Sequence, residues 1–312
     1  MNTVVRLIAA GSLLAAVSLS GEHAAQAFYQ SVKVHNGGTL TGKVTLTGGI
    51  PEPRAFPIVL YAFGDFCKKI SDGKGHVLLH EFYSDETGGL QDAVISIEGI
   101  TRGKTFHHIR NEYISTNCMF HPANVPDNEQ FEVHGGKMHH VHPLVTVMEN
   151  NQPLYVGNRD PVIHNGQVYQ KEKGLRVLNF PVPVSDDLHG GYVHFDSGNR
   201  IMEMICGMHE YMQAWGWIVD NPYYAKTRKD GKFTIGEIPP GTYKVTAWHP
   251  HLKPIEKKVT IKPGGTVELN FEFDAKTVHR PYYESQNWFR IGPESDPYVD
   301  LKGCKGPFCN LR

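Results

Sequence analysis

The chain has no surplus of charge of either sign. Lys and Arg number 31 and Asp and Glu 32, a formal net charge of -1 at pH 7. Without a basic balance, nucleic acid is not an expected partner. Beyond the N-terminal region no stretch reaches the roughly 18 consecutive apolar residues that mark a membrane-spanning helix. No Cys-x-x-Cys-His occurs, which argues against a covalently attached c-type haem. No Ser-His-Asp arrangement and no glycine-rich phosphate loop can be made out. Strongly periodic helical segments are missing too, while 32 Gly and 20 Pro punctuate the chain. What is left is a series of short strands and turns.

The N-terminus reads as a targeting segment. Arg6 is followed by a mostly apolar run from Leu7 to Leu19, and Ala25-Gln26-Ala27 makes a small-x-small cleavage site. This is the pattern of a secretory signal peptide over residues 1–27, with a mature chain starting near Phe28. The expected location is periplasmic or secreted, and the processed protein is not expected to span a membrane.

An exported chain can keep disulfides. There are five cysteines, so an odd thiol remains. Cys304 and Cys309 flank a short Lys-Gly-Pro-Phe turn and look like a bridged pair, which makes Cys67–Cys118 the second expected bridge. Four cysteines allow three pairings, so other divisions stay open. In this one, Cys206 is unpaired.

Strands are marked by alternation and β-branched residues. They include the stretches from Thr39 to Leu46, Asp92 to Glu98, Leu144 to Met148 and Gly191 to Phe195. Beyond Asn221-Pro222 the texture changes to Pro-Gly turns and alternating strands, ending with Val267, Leu269, Phe271 and Phe273. The predicted organisation is a first domain over 28–220, a small β-sandwich over 221–275 and a tail over 276–312. A polar segment near 119–143 reads as an insertion or long loop. It carries His121, His134, His139, His140 and His142, and His134 with the last three is a possible second metal site. The alternative is a solvated loop.

The stretch Cys206-Gly207-Met208-His209-Glu210-Tyr211-Met212 sits between two expected strands. It sets a thiol, an imidazole and a thioether close together. One more imidazole would complete a His₂Cys set with a weak axial Met, the donor set of a blue-copper centre. Thiolate and thioether suit Cu(I) and imidazole suits Cu(II), so both oxidation states are accepted with little rearrangement. His164, presented by the Asp160-Pro161 turn, is the expected additional ligand, with His189 and His194 as alternatives. Period two puts Met202, Met204 and Cys206 on one strand face, with the two methionines read as core. Cys206 has an alternative as a buried free thiol, and Met212 as core.

The Cys206-x-x-His209-x-x-Met212 spacing resembles the short-loop cupredoxins, amicyanin in particular. The segment from Asp160 to Asn165 resembles the one that carries the first His ligand there. Together with the Pro239-Pro240-Gly241-Thr242-Tyr243 module, the chain resembles exported bacterial proteins that join a plastocyanin-like domain to a carboxypeptidase-regulatory-like sandwich. The resemblance implies an all-β chain: a cupredoxin-like Greek-key β-sandwich followed by a small transthyretin-like β-sandwich. It implies one type 1 copper per chain held by His164, Cys206, His209 and Met212, with Asn165 tying the ligand loops together. The function implied is single-electron transfer rather than catalysis, with a cytochrome or membrane oxidoreductase as partner. His209 is the expected exit route, with Met208 and Tyr211 as a docking patch. The rival readings are a non-redox binding or copper-storage module, and a copper enzyme using the second His-rich site.

Overall fold

The computed structural model describes residues 29–123, 131–134, 137–140 and 144–279. The expected signal peptide, the Cys304–Cys309 pair and most of the tail lie outside these residues. The chain is all-β, as its alternation and turn chemistry predict, and forms two sandwiches with separate cores.

The first sandwich packs a five-stranded sheet on a four-stranded one. The five-stranded order is Leu144–Glu149, His209–Val219, Ile201–Cys206, His164–Gln170, Leu175–Val182. The four-stranded order is His189–Val193, Gln152–Asn158, Asn111–Thr116, Met119–Pro122. Met202, Met204 and Cys206 enter the core between the sheets, as period two requires. Every residue of His209–Val219 is buried, because both faces of that strand are covered. Met212, Ala214 and Ile218 face the sandwich interior. Trp215, Trp217 and Val219 face a separate apolar seam with Val94 and Trp248. That seam joins the two sandwiches. The Trp217 and Trp248 rings lie 5.3 Å apart, and Trp217 Nε1 donates to Ser96 Oγ at 2.9 Å. Burying a Trp with its N–H satisfied retains its apolar contribution without an orphaned donor.

The two units do not divide at residue 220. The sandwich that residues 221–275 begin is completed by strands from the N-terminal third. Gly38–Thr47 pairs with Lys232–Ile238, Thr266–Glu268 and Phe271–Asp274. Val94–Ile97 pairs with Tyr224–Lys226 and Gly241–Trp248. Leu40, Val44, Ile95 and Ile97 then share one core with Val245, Ile261 and Phe271. Alternation places a residue on a strand face but does not say which sheet the strand joins, so a boundary at 220 leaves out the two early strands that belong to the second unit.

Between these strands, residues 54–80 form a cap. Arg54–Pro57 and His76–Leu79 make an antiparallel ladder, and two 3₁₀ turns and the short helix Gly64–Cys67 lie between them. The long loop expected after Cys118 is partly regular: Met119–Pro122 joins the four-stranded sheet, and Phe131–His134 with Lys137–His140 forms a hairpin.

Candidate metal centre

The site is built where three strands end together. His164 opens one strand, Cys206 closes its neighbour and His209 opens the next. A two-residue turn, Gly207-Met208, sets Cys206 opposite His209. A Cβ on Gly207 would fall 2.5 Å from both Asn165 Oδ1 and Gln167 Nε2, so any side chain at this turn would have to displace those two side-chain ends.

All three donor residues are buried, His164 and His209 at 0% exposure and Cys206 at 1%. Cys206 is unpaired. Nδ1 of His209 lies 3.5 Å from Cys206 Sγ, and Nδ1 of His164 lies 3.9 Å from it. One donor atom from each residue fits within a 4.8 Å spread. The opposite ring nitrogens are engaged elsewhere. His164 Nε2 meets the Asp160 carboxylate at 2.9 Å, and His209 Nε2 meets the Ala62 carbonyl at 2.8 Å. Both partners only accept, so each Nε2 carries the proton. In the neutral rings both Nδ1 lone pairs then point toward the sulfur, which is the state a metal requires.

The electrostatics agree with a thiolate at this spot. Burial alone would raise the Cys206 thiol, but hydrogen bonding with the facing Nδ1 atoms of His164 and then His209, when these rather than a metal carry the proton, outweighs it and brings the pKa down to about 6. Burial opposes charge on His164 as well, yet Asp160 and Cys206 push it up to about 9. Asp160 is held below the usual carboxylate range despite its burial, first by His164 and then by the amides of Cys118 and Asn117.

Asn165 braces the ligand loops chiefly through its backbone. Its N–H points at Cys206 Sγ at 3.5 Å and its carbonyl accepts from Gly207 N at 3.0 Å. Its side-chain amide donates to the Phe180 carbonyl at 3.0 Å, fixing the strand start. Such bonds orient the ligands and temper the thiolate charge.

Residues 219–274 match the carboxypeptidase regulatory-like domain. In this fold the regulatory-like segment is completed by the two N-terminal strands described above and abuts the sheet that carries Cys206 and His209 through Trp248. No curated protein matches the chain. Among solved structures, a novel purple cupredoxin from Nitrosopumilus maritimus aligns at 14% identity, covering 35% of this chain and 98% of its own, with a TM-score of 0.23. A Cu-containing nitrite reductase from Thermus scotoductus aligns at 13% identity, covering 37% of this chain and 24% of its own, also with a TM-score of 0.23. Likenesses this slight carry nothing about the centre, which stands on its own geometry.

Other sequence expectations divide. Met212 is fully buried in the core that holds Cys206. His189 bonds Ser185 Oγ at 3.0 Å and His194 bonds Asn151 Oδ1 at 2.6 Å, and neither belongs to a metal-sized group. The Cys67–Cys118 bridge is formed. Cys118 also lies near Asp160 and His164, but a disulfide sulfur is no thiolate ligand. The hairpin splits the His run, pairing His139 with Glu132, His140 with Phe131 and His134 with Lys137, while His142 lies outside the described residues. The expected docking patch is not formed. Tyr211 is fully buried and packs edge-on against Tyr61 at 5.1 Å, and Met208 is half-buried against the core.

Two features escaped the sequence reading. Asp160 with Pro161 signals a turn, and only its i,i+4 spacing to His164 hints at the contact between them. The cap over His209 left no signal at all, because Ala62 acts through its backbone carbonyl.

Proposed function

We propose that this chain is a type 1 copper protein that passes single electrons between redox partners. The observation that carries the reading is the convergence of two Nδ1 atoms on the buried Cys206 sulfur, with both Nε2 atoms already committed to acceptors. His164, Cys206 and His209 would hold the ion, and Met212 would supply the weak axial thioether. Bound there, copper would supply one exchangeable electron through its Cu(II) and Cu(I) states. The protein's part is to hold the donors in one arrangement suited to both states, which the buried position and the braced loops do.

Burial of all three donors favours a carrier over a copper enzyme, since a substrate would have to displace the cap. The location proposed is the periplasm or another exported compartment, from the N-terminal signal pattern. Among the described residues no helix is long and apolar enough to cross a membrane. The redox partner proposed is a cytochrome or a membrane oxidoreductase, and one copper is proposed per chain.

The proposed exit route runs from the buried His209 through the cap rather than from the imidazole straight to solvent. The His209 Nε2–H leads by one hydrogen bond to the Ala62 carbonyl, and the next residue, Phe63, is 41% exposed with its ring 6.3 Å from the imidazole. The cap turn at 60–63 is therefore the proposed docking point.

The test is addition of Cu(II) to the purified mature protein. An intense visible thiolate-to-copper band should appear with one copper per chain and be absent in Cys206→Ser. Wild-type protein that binds no copper, or binds it without that band, would overturn the reading.

A further inference from the structure

The carboxylate of Asp160 is built into the fold with unusual care. It is 3% exposed. Oδ1 accepts from Asn117 N at 2.6 Å, and Oδ2 accepts from Cys118 N at 2.8 Å, from His164 Nε2 at 2.9 Å and weakly from Ser115 Oγ at 3.4 Å. The backbone N–H of Asp160 in turn donates to Asn158 Oδ1 at 2.9 Å. Asn158 pins the turn by donating to the carbonyls of Val162, Val182 and Pro183. A turn alone needs none of this. Burying a carboxylate is expensive, and it is tolerated only with several donors directed at it.

The two imidazoles are treated differently. His209 donates to a neutral carbonyl, that of Ala62, whereas His164 donates to a carboxylate. A charge-assisted bond to the far nitrogen is stronger than a neutral one and raises the donor strength of the near nitrogen. A stronger nitrogen donor favours the higher-charged ion of a couple.

We infer that Asp160 is a positioning residue that locks His164 with Nδ1 free and biases the centre toward Cu(II). The inference rests on the copper reading above. It adds that the two His ligands are unequal and that Asp160 sets the reduction potential downward. The Cys67–Cys118 bridge supports the arrangement, because the amide that holds Oδ2 belongs to Cys118 itself.

The test is Asp160→Asn, read by potential and spectrum rather than by turnover. Cys118 N and His164 Nε2 share Oδ2, so an Asn either keeps both on its one oxygen as uncharged bonds and turns its NH₂ against the Asn117 amide, or keeps Asn117 and turns its NH₂ against both. Either way the charge-assisted bond to His164 is lost. The expected result is protein that still takes up copper with a thiolate band. Its affinity should fall by about tenfold or more. Its potential should rise, a tenfold change in the one-electron equilibrium being about 59 mV. A potential equal to or below that of wild type would overturn the inference while leaving the copper reading intact. Failure of wild-type protein to take copper would overturn the copper reading instead. If Asp160→Asn does not fold, nitrogen-correlated NMR of Cu(I)-loaded wild type decides. A slowly exchanging, downfield Nε2–H on His164 that exceeds the His209 shift supports the inference. Its absence overturns it.

Discussion

Cys67 Sγ lies 3.8 Å from Nε2 of His209. The disulfide thus borders one imidazole through Cys67, while the amide of Cys118 holds the carboxylate behind the other at 2.8 Å. One covalent link joins the cap to the turn between Asn111–Thr116 and Met119–Pro122, and so borders both rings.

Reduction of that link is expected to destabilise the whole first sandwich. The bridge spans 51 positions in sequence, and a loop of this length restricts the unfolded chain by about 4 kcal/mol. Denaturant unfolding with and without a phosphine reductant should show a lower midpoint after reduction. Copper loaded beforehand should dissociate faster, since Ala62 rides on the cap. An unchanged midpoint would mean that the cap is held by packing alone.

Gly207→Ala is expected to disturb the centre without removing a ligand. The added Cβ would meet Asn165 Oδ1 and Gln167 Nε2, each at 2.5 Å. Both are side-chain ends and can retreat, so the stability cost should be modest, about 1–3 kcal/mol. The retreat breaks the Gln167-to-Asn165 bond of 2.9 Å and loosens the brace on Cys206. The visible and electron-spin spectra should shift while copper stoichiometry stays at that of wild type. Identical spectra would show that the brace acts through backbone bonds only.

Much of this candidate site is legible because its donor residues are carried on local signals. Cys206 and His209 flank one two-residue turn, Met212 follows three residues later in the strand that His209 opens, and the Asp160-Pro161 turn announces His164. Alternation correctly placed Met202 and Met204 beside Cys206 in the core. The parts that were not legible act at long range. Ala62 reaches His209 over 147 positions through a main-chain atom, which no side-chain pattern can reveal. The pairing of Leu40 with Val267 and of Ile95 with Ala247 likewise depends on which sheets meet, so the early strands read as part of the copper domain. Glu81, buried between Arg54 and His251, also gives no sign, because these two partners come from stretches far from it and from each other.

Acid should unfold the protein through the junction between cap and sandwiches. His249 is buried against Phe82, and burial brings its pKa down to about 4. Its folded pKa is below the unfolded one, near 6.5. The stabilisation is therefore complete above that value and is lost as pH falls from about 6.5 to about 4, at roughly 1.4 kcal/mol per pH unit. Glu81 is also depressed: burial would raise it, but the charges of Arg54 and His251 hold it far below the usual range. Its contribution is present above about pH 4.3, the ordinary Glu value, and fades only below that. Urea midpoints measured against pH should fall in two stages, and His249→Phe should flatten the upper one. Glu81→Gln should cost roughly 3–5 kcal/mol at neutral pH, because a buried guanidinium loses its counter-charge.

The cap turn should govern electron exchange without governing the colour of the centre. Phe63 adopts a left-handed backbone, φ 57°, that Asn tolerates better than most residues. Phe63→Asn therefore keeps the turn and the Ala62 carbonyl while removing an exposed aromatic ring 6.3 Å from His209. Its spectrum and potential should match wild type, since Phe63 lies on the far side of His209 from the bond to Cys206. Self-exchange between Cu(I) and Cu(II) copies, followed by NMR line broadening, should slow, because the closest approach to His209 loses its apolar contact. If the rate is unchanged in Phe63→Asn but falls on altering the half-buried Met208, electrons leave by the ligand turn and the cap is only a cover.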